Sequence, residues 1–351
     1  MIDPRAYEAM SQPLTGIRDP YFLSVMAEIQ AGLRDVLGTQ NSKTFLIPGS
    51  GTGAMEAAVS NFVREGSKFA VFTAGHFADR IAVIGQRQRG AQLVRCSKEW
   101  GEVFSEEEAF AFMEREKPDV VAFVQGETST GAYQSGRAIT AAARKFGALV
   151  IADCVTTLGA MPVELDSAGI DIAFSCAQKG LSCPAGLSPI SISPRAWEWL
   201  EKRQDEPATW YLDLRLLAKY FEEPHVYHHT PSPPLYYAMH QGLAVIEEEG
   251  LRKRWERHRV VGQKLAAELS KLGFEPLVKE ADHRLWHLSV VVPPSHVNEA
   301  TLRDRLLQKY GIEIGAGLGK LAGKILRIGT MGPLSTEEQA GFLLDAIAAS
   351  I

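Results

Sequence analysis

Short apolar runs alternate with amphipathic stretches over the first two-thirds of the chain. Phe45–Ile47, Phe69–Phe72, Val120–Val124, Leu149–Ala152, Ile170–Phe174 and Ser188–Ile192 read as buried strands of a parallel sheet. Helical patterns lie between them, at Gly53–Arg64, Ala78–Arg87, Ser105–Glu114 and Ile139–Phe146. Ser105 followed by Glu108 forms a capping-box pattern that marks one helix start. Strand–helix–strand repetition predicts an α/β fold, a mostly parallel central sheet sandwiched by helices.

The rhythm changes after about Pro207. Tyr227–Pro234 is an irregular, proline-rich loop, and a long helical stretch broken near Gly250 runs from Leu235 to about Leu272. Leu285–Val292, Ile312–Ile314 and Ile325–Ile328 then read as strands, with helices at Glu299–Tyr310 and Thr336–Ala349. This is the pattern of a smaller α+β domain. The expected division is an N-terminal arm over 1–14, a large domain over 15–245 and a small C-terminal domain over 246–351. No internal repeat and no low-complexity segment interrupts it.

Composition narrows the function classes. The 351 residues are 46% hydrophobic and 23% charged, ordinary for a globular protein with a sizeable core. The net charge of −5 argues against nucleic acid or an anionic membrane surface as partner. No apolar run approaches the roughly 18 residues of a membrane span. Met1–Arg5 lacks an apolar signal core, and Ala349–Ile351 is no peroxisomal address. Cys96, Cys154, Cys176 and Cys183 form no Cys-x-x-Cys pair, so reduced thiols in the cytoplasm are expected.

No metal site is expected. His228 and His229 are neighbours whose side chains should point apart, and His283 and His287 belong to a strand region. Glu247–Glu249 and the basic run Arg252–Arg259 read as solvated helix surface.

The candidate chemistry follows predicted strands, where open α/β sheets bind ligands. Pro48-Gly49-Ser50-Gly51-Thr52-Gly53 leaves a strand and opens a helix. Its small residues and free N–H groups suit an anion, although a plain tight turn has the same composition. Asp153 stands directly after Leu149–Ala152; it is either a helix cap or a carboxylate meeting a buried cation. Lys179 follows Ile170–Phe174 in a loop with Gly180, Pro184 and Gly186, and by itself reads equally as a solvated lysine.

Together with Gly126-Glu127-Thr128-Ser129-Thr130-Gly131, these elements change the picture. In this order and spacing they resemble the class V aminotransferases, of fold type I among pyridoxal-phosphate enzymes. The likeness is nearest to the alanine–glyoxylate and serine–glyoxylate (serine–pyruvate) group. It extends to Gly16–Pro20, Tyr227–Pro231 and Leu326–Gly329.

The resemblance implies a role for each matched residue. Lys179 would be the Schiff-base lysine of pyridoxal 5'-phosphate. Ser50, Gly51 and Thr52 would bind the cofactor phosphate, helped by Gln178. Phe77 would stack on the pyridine ring, Val155 would pack on its other face, and Thr128 would contact the ring hydroxyl. Asp153 would pair with the pyridine nitrogen. Tyr227 and Thr230 would reach the phosphate of a neighbouring subunit in a homodimer with shared sites, and Arg327 would bind the substrate carboxylate.

The implied reaction moves an amino group from alanine or serine to glyoxylate or pyruvate. The alternatives are a transaminase of another small amine, such as 2-aminoethylphosphonate, or a non-catalytic subunit on the same fold. Cysteine desulfurase chemistry is not expected, because no cysteine falls near Arg327 in sequence. Members of the family usually carry a Leu-x-x-Pro-Gly-Pro segment ahead of the helix that Met1–Arg5 resembles. Its absence would leave cofactor loading intact and weaken closure over the substrate.

Overall fold

The computed structural model describes residues 1–351. The first strands are β1 (Lys43–Pro48), β2 (Lys68–Thr73), β3 (Gln92–Ser97) and β4 (Val120–Val124). A two-residue pair, β5 (Gly126–Glu127) and β6 (Ala132–Tyr133), comes next, then β7 (Leu149–Asp153), β8 (Ile172–Phe174) and β9 (Leu187–Ile192). The main sheet has the order β1-β9-β8-β7-β4-β2-β3. The pairs from β8 through β7, β4 and β2 to β3 are parallel. Helices connect these strands, as parallel neighbours require.

One expected parallel strand, β9, runs the other way. It pairs antiparallel with both β8 and β1, so β1 beyond it has the direction of the parallel strands. The segment between β8 and β9 is a loop with no helix to carry the chain back across the sheet, so the chain reverses there. β3 escaped the sequence reading because it is an edge strand with half-exposed positions and polar residues interspersed.

Most predicted helices are present with shifted ends. The helix Glu106–Glu116 carries the full capping box between Ser105 and Glu108. The long helical stretch is broken where expected. It becomes Pro233–Glu249 and Leu251–Lys271, with Gly250 at φ 82 between them, a left-handed conformation that favours glycine. No helix is long and apolar enough to cross a membrane.

Burial explains the main sheet. The side chains of β4 and β7 are all buried, which is why both strands read as continuous apolar runs. A second sheet follows, of β10 (Glu275–Pro276), β11 (Leu288–Val292), β12 (Gly315–Ala316) and β13 (Leu326–Gly329), in the order β10-β11-β13-β12. The expected strand Ile312–Ile314 is irregular, and the pairing begins only at Gly315. Leu265, Leu269, Leu306 and Ile347 from three helices pack on Val291, Leu326 and Ile328 to form a separate small core. Each such side chain contributes about 1.5–3 kcal/mol by leaving water.

Candidate active site

The carboxyl ends of the parallel strands open onto a cavity of about 230 Å³. It is lined by Ser50, Gly51, Thr52, Phe77, Thr128, Asp153, Val155, Gln178 and Lys179, among others. The structure thus brings together residues spread over more than a hundred positions of sequence.

The helix Gly51–Phe62 starts at this cavity. Its N-cap, Ser50, makes no side-chain cap hydrogen bond. The N–H groups of the first turn therefore retain their capacity for an anion, and the helix dipole adds to the attraction. Gly51 leaves little room at this point. A Cβ there would come within 3.1 Å of both the Cys176 Cβ and a Val155 methyl.

Asp153 ends β7 and is 3% exposed. Its carboxylate makes a single hydrogen bond, accepting the N–H of Val155 at 2.9 Å. Burial pushes its acid up to about 7, a rise the Val155 N–H opposes. A carboxylate so placed is stabilised by any cationic group that enters the cavity. The side-chain Oε1 of Gln178 is buried and has no partner in the protein.

Arg327 lies on β13, opposite Val290 of β11 and Gly315 of β12. Its Nε donates to Ala316 O at 2.6 Å and its Nη1 to Thr128 O at 3.4 Å. The second sheet thereby presents a guanidinium to the backbone of the Thr128 loop. Tyr227 and Thr230 do not line this cavity. Their hydroxyls lie 2.9 Å apart on the surface, where Tyr227 is 49% exposed.

A family model described as aminotransferase class V matches residues 18–335. The chain belongs to the class V aminotransferases. It is 34% identical to a (S)-ureidoglycine–glyoxylate transaminase of Bacillus subtilis, over 99% of this chain and 88% of that one. It is 33% identical to an alanine–glyoxylate aminotransferase of Oryctolagus cuniculus, over 99% of this chain and 89% of the other. The crystal structure of an alanine–glyoxylate aminotransferase from Nostoc sp. superposes with a TM-score of 0.97 at 42% identity, covering 99% of this chain and 92% of that one.

In this class V aminotransferase, sequence reasoning passed over two residues that support or line the cavity walls. Glu127 is the first. Its Oε2 accepts the N–H groups of Phe77 at 3.0 Å and Ala78 at 3.1 Å. Its Oε1 accepts from the N–H of Ser129 at 3.1 Å and the Ser129 hydroxyl at 2.6 Å. The helix His76–Gln86 starts at Gly75, which has no side chain to cap it, so Glu127 supplies the cap from another loop. Burial raises the Glu127 acid, and these four donors work against that rise. The signal lay in Glu-Thr-Ser-Thr-Gly itself, which was read for Thr128 alone.

Arg80 is the second. It stands one helical turn after Phe77, with its guanidinium carbon 4.9 Å from the Phe77 ring centre. Its Nη1 donates to Thr52 Oγ1 at 3.2 Å, and its Nη2 lies 3.3 Å from His76 Nε2. It therefore adds a positive charge beside the helix start at Ser50–Thr52. Cys176 also borders the cavity, but burial pushes its thiol up to about 12, so it is no thiolate nucleophile at neutral pH.

Two surface expectations are corrected. Arg252–Arg259 is solvated on one side only: Arg252, Lys253 and Glu256 are exposed, whereas Arg254 is 3% exposed and His258 fully buried. Arg254 reaches the carbonyls of Gly159 and Gly180 and Arg257 those of Gly332 and Ser335, and Glu249 turns inward to pair with both. His228 and His229 do not point apart. Their Nδ1 atoms are 3.0 Å apart, and Trp210 stacks on the His228 ring.

Proposed function

We propose that this class V aminotransferase holds pyridoxal 5'-phosphate at Lys179 and moves an amino group from a small amino acid, alanine or serine, to glyoxylate or pyruvate. The observation that carries the reading is one cavity lined by Lys179, Asp153 and the helix start Ser50–Thr52, with Arg327 reaching the Thr128 loop beside it. The names of the relatives support glyoxylate as acceptor and an amino acid as donor.

The residues present fit the cofactor. The first-turn N–H groups after Ser50, the side-chain N–H of Gln178 and Arg80 suit a phosphate. Phe77 and Val155 offer faces for a flat ring. Asp153 has spare acceptor capacity and a buried position, the chemistry needed to hold a proton on a pyridine nitrogen. When bound, the cofactor supplies an electron sink for the bond-breaking at the substrate Cα. Lys179 carries the amine that attaches the cofactor. Freed from the cofactor, the Lys179 amine would be the nearby base that moves the substrate Cα proton. Arg327 offers a planar fork for both carboxylate oxygens of donor and acceptor.

The active unit in this reading is a homodimer. Tyr227 and Thr230 lie outside their own cavity, on a surface where Trp210, Tyr211 and Val226 are also exposed. An aromatic patch of this kind marks an interaction surface. Residues 15–245 form the cofactor-binding domain of this reading and 246–351 the small domain that brings Arg327.

Borohydride reduction of the cofactor-loaded protein, followed by peptide mapping, tests the attachment; a tag on any lysine other than Lys179 ends the assignment. A half-reaction panel of alanine, serine, glycine, ureidoglycine and 2-aminoethylphosphonate then ranks the donors by conversion of the cofactor absorbance. One methyl or hydroxyl is worth only about 1–3 kcal/mol in an apolar pocket, so the ranking has to be measured. No conversion with any donor would make this a non-catalytic member of the family.

A further inference from the structure

The buried basic cluster at the start of the helix Leu251–Lys271 joins the two halves of the site. Arg254 Nε donates to Gly159 O at 3.0 Å, and its Nη2 donates to Gly180 O at 2.9 Å and Ser182 Oγ at 3.2 Å. Gly159 lies on the loop that follows Asp153, and Gly180 is the residue after Lys179. The two loops touch. A Cβ on Gly180 would stand 2.1 Å from Leu158 O, and one on Gly159 would stand 2.8 Å from Gly180 O. A single guanidinium therefore staples the Asp153 loop to the Lys179 loop. Its Nη1 donates to Glu249 Oε2 at 2.7 Å, which balances its charge.

The same cluster grips the chain just after Arg327. The Nδ1 of His258 lies 2.7 Å from Arg254 O and its Nε2 accepts the N–H of Gly332 at 3.0 Å. Nδ1 therefore carries the proton, and the ring works as a neutral bridge. Arg257, paired with Glu249, donates to Gly332 O at 2.9 Å and Ser335 O at 2.7 Å. Gly332 closes the circuit, since a Cβ there would fall 2.0 Å from Ser182 Oγ.

We propose that Arg254 and His258 are positioning residues that set the spacing between the Lys179 amine and the Arg327 guanidinium. The inference rests on the aminotransferase reading above. A substrate must span that spacing with its Cα amine and its carboxylate, and a misplacement near 1 Å costs about a hundredfold in rate. A residue that merely stabilised the fold would lower every binding event alike. A positioning residue spares ligands that use one anchor and penalises those that use both.

The test uses cofactor-loaded Arg254→Lys, His258→Leu and His258→Gln. Lysine keeps the charge but lacks the planar fork that reaches Gly159 O, Gly180 O and Glu249 from three separate nitrogens. Leucine removes the Gly332 acceptor, and glutamine restores one. Calorimetry with propionate reads the carboxylate anchor alone, and kcat/KM for alanine, or for whichever donor the wild type prefers, reads both anchors. In Arg254→Lys and His258→Leu, donor kcat/KM should fall at least about tenfold, while cofactor and propionate affinities stay within about threefold. His258→Gln should stay close to wild type. Unchanged donor kinetics in the loaded variants, or an equal loss of propionate or cofactor affinity, overturns the proposal. Should Arg254→Lys fail to fold, the His258 pair decides. An inactive wild type overturns the aminotransferase reading and this inference with it, whereas an active wild type with unaltered variants overturns this inference alone.

Discussion

The carboxylate of Glu127 accepts the backbone N–H of Phe77 at 3.0 Å. This bond ties the aromatic residue on one wall of the cavity to the loop that carries Thr128. Glu127→Gln replaces one acceptor oxygen with a donor that must face N–H groups, leaving a buried donor without a partner at a cost of about 1–3 kcal/mol. Gly75→Ala should have the same effect, because its Cβ would meet Glu127 Cγ at 2.2 Å. We expect both variants to lose stability and to alter the near-ultraviolet dichroism of the bound cofactor, with the double variant little worse than either single one. Strictly additive losses in urea unfolding would show that the two positions act independently.

Asp153 should be costly to the cofactor-free protein. Its acid is pushed from the ordinary 3.8 to about 7 by burial. The sign follows directly. The neutral form is favoured in the folded state, so this stabilising contribution is complete below pH 3.8 and is lost as pH rises through about 7. Asp153→Asn should therefore raise the stability of the cofactor-free protein at pH 8, by on the order of 2–4 kcal/mol. The same change should slow single-turnover proton removal in the loaded enzyme. Equal urea midpoints for the two cofactor-free proteins at pH 8 would count against a buried, unpaired Asp153.

How much of this was legible in the sequence follows from which interactions are local. Leu149–Ala152 announced β7, and with it Asp153, because a strand buried on both faces must be apolar throughout. Ser105 and Glu108 announced their helix because a capping box is a three-residue relationship. Glu127 was invisible as a cap, since its partners at Phe77 and Ala78 lie some fifty positions away. Arg254 and His258 were misread for the same reason. A run of basic residues on a helix looks solvated until the loops that cover it, at Gly159, Gly180 and Gly332, are known. The reversal of β9 depended on a loop that the sequence shows but whose path it does not.

The shared-site reading makes a prediction about mixed dimers. Tyr227 and Thr230 sit outside their own cavity, so their hydroxyls should serve the partner's site. Mixing Lys179→Ala chains with Tyr227→Phe/Thr230→Val chains gives a heterodimer in which one site holds every defect and the other holds none. Activity should recover on subunit exchange, towards about half that of a wild-type dimer per heterodimer. No recovery after exchange has been demonstrated by mass spectrometry would confine each site to one chain.

The last prediction concerns His287, which is fully buried with neither ring nitrogen bonded to the protein. Burial, reinforced by His258 and Lys179, pushes its pKa down from 6.5 to about 3. Burial likewise takes His258 down to about 4, against the pull of its bond to Arg254 O and beside Arg257 and Glu249. Both rings stay neutral in the folded protein while the unfolded chain takes up protons below pH 6.5. Their contribution to stability is therefore present above pH 6.5 and lost as pH falls towards about 4 and about 3. Each proton steepens the loss by up to about 1.4 kcal/mol per pH unit. His287→Leu removes one of the two and also removes two unpartnered polar atoms, so at pH 7 it should be neutral or stabilising. Asp153 acts with the opposite sign over much of the same range in cofactor-free protein, so variant and wild type must be compared in the same cofactor state. Urea unfolding at several values between pH 7.5 and pH 5 should give a shallower acid limb for His287→Leu. Parallel curves for the two proteins would mean that His287 takes up its proton in the folded state.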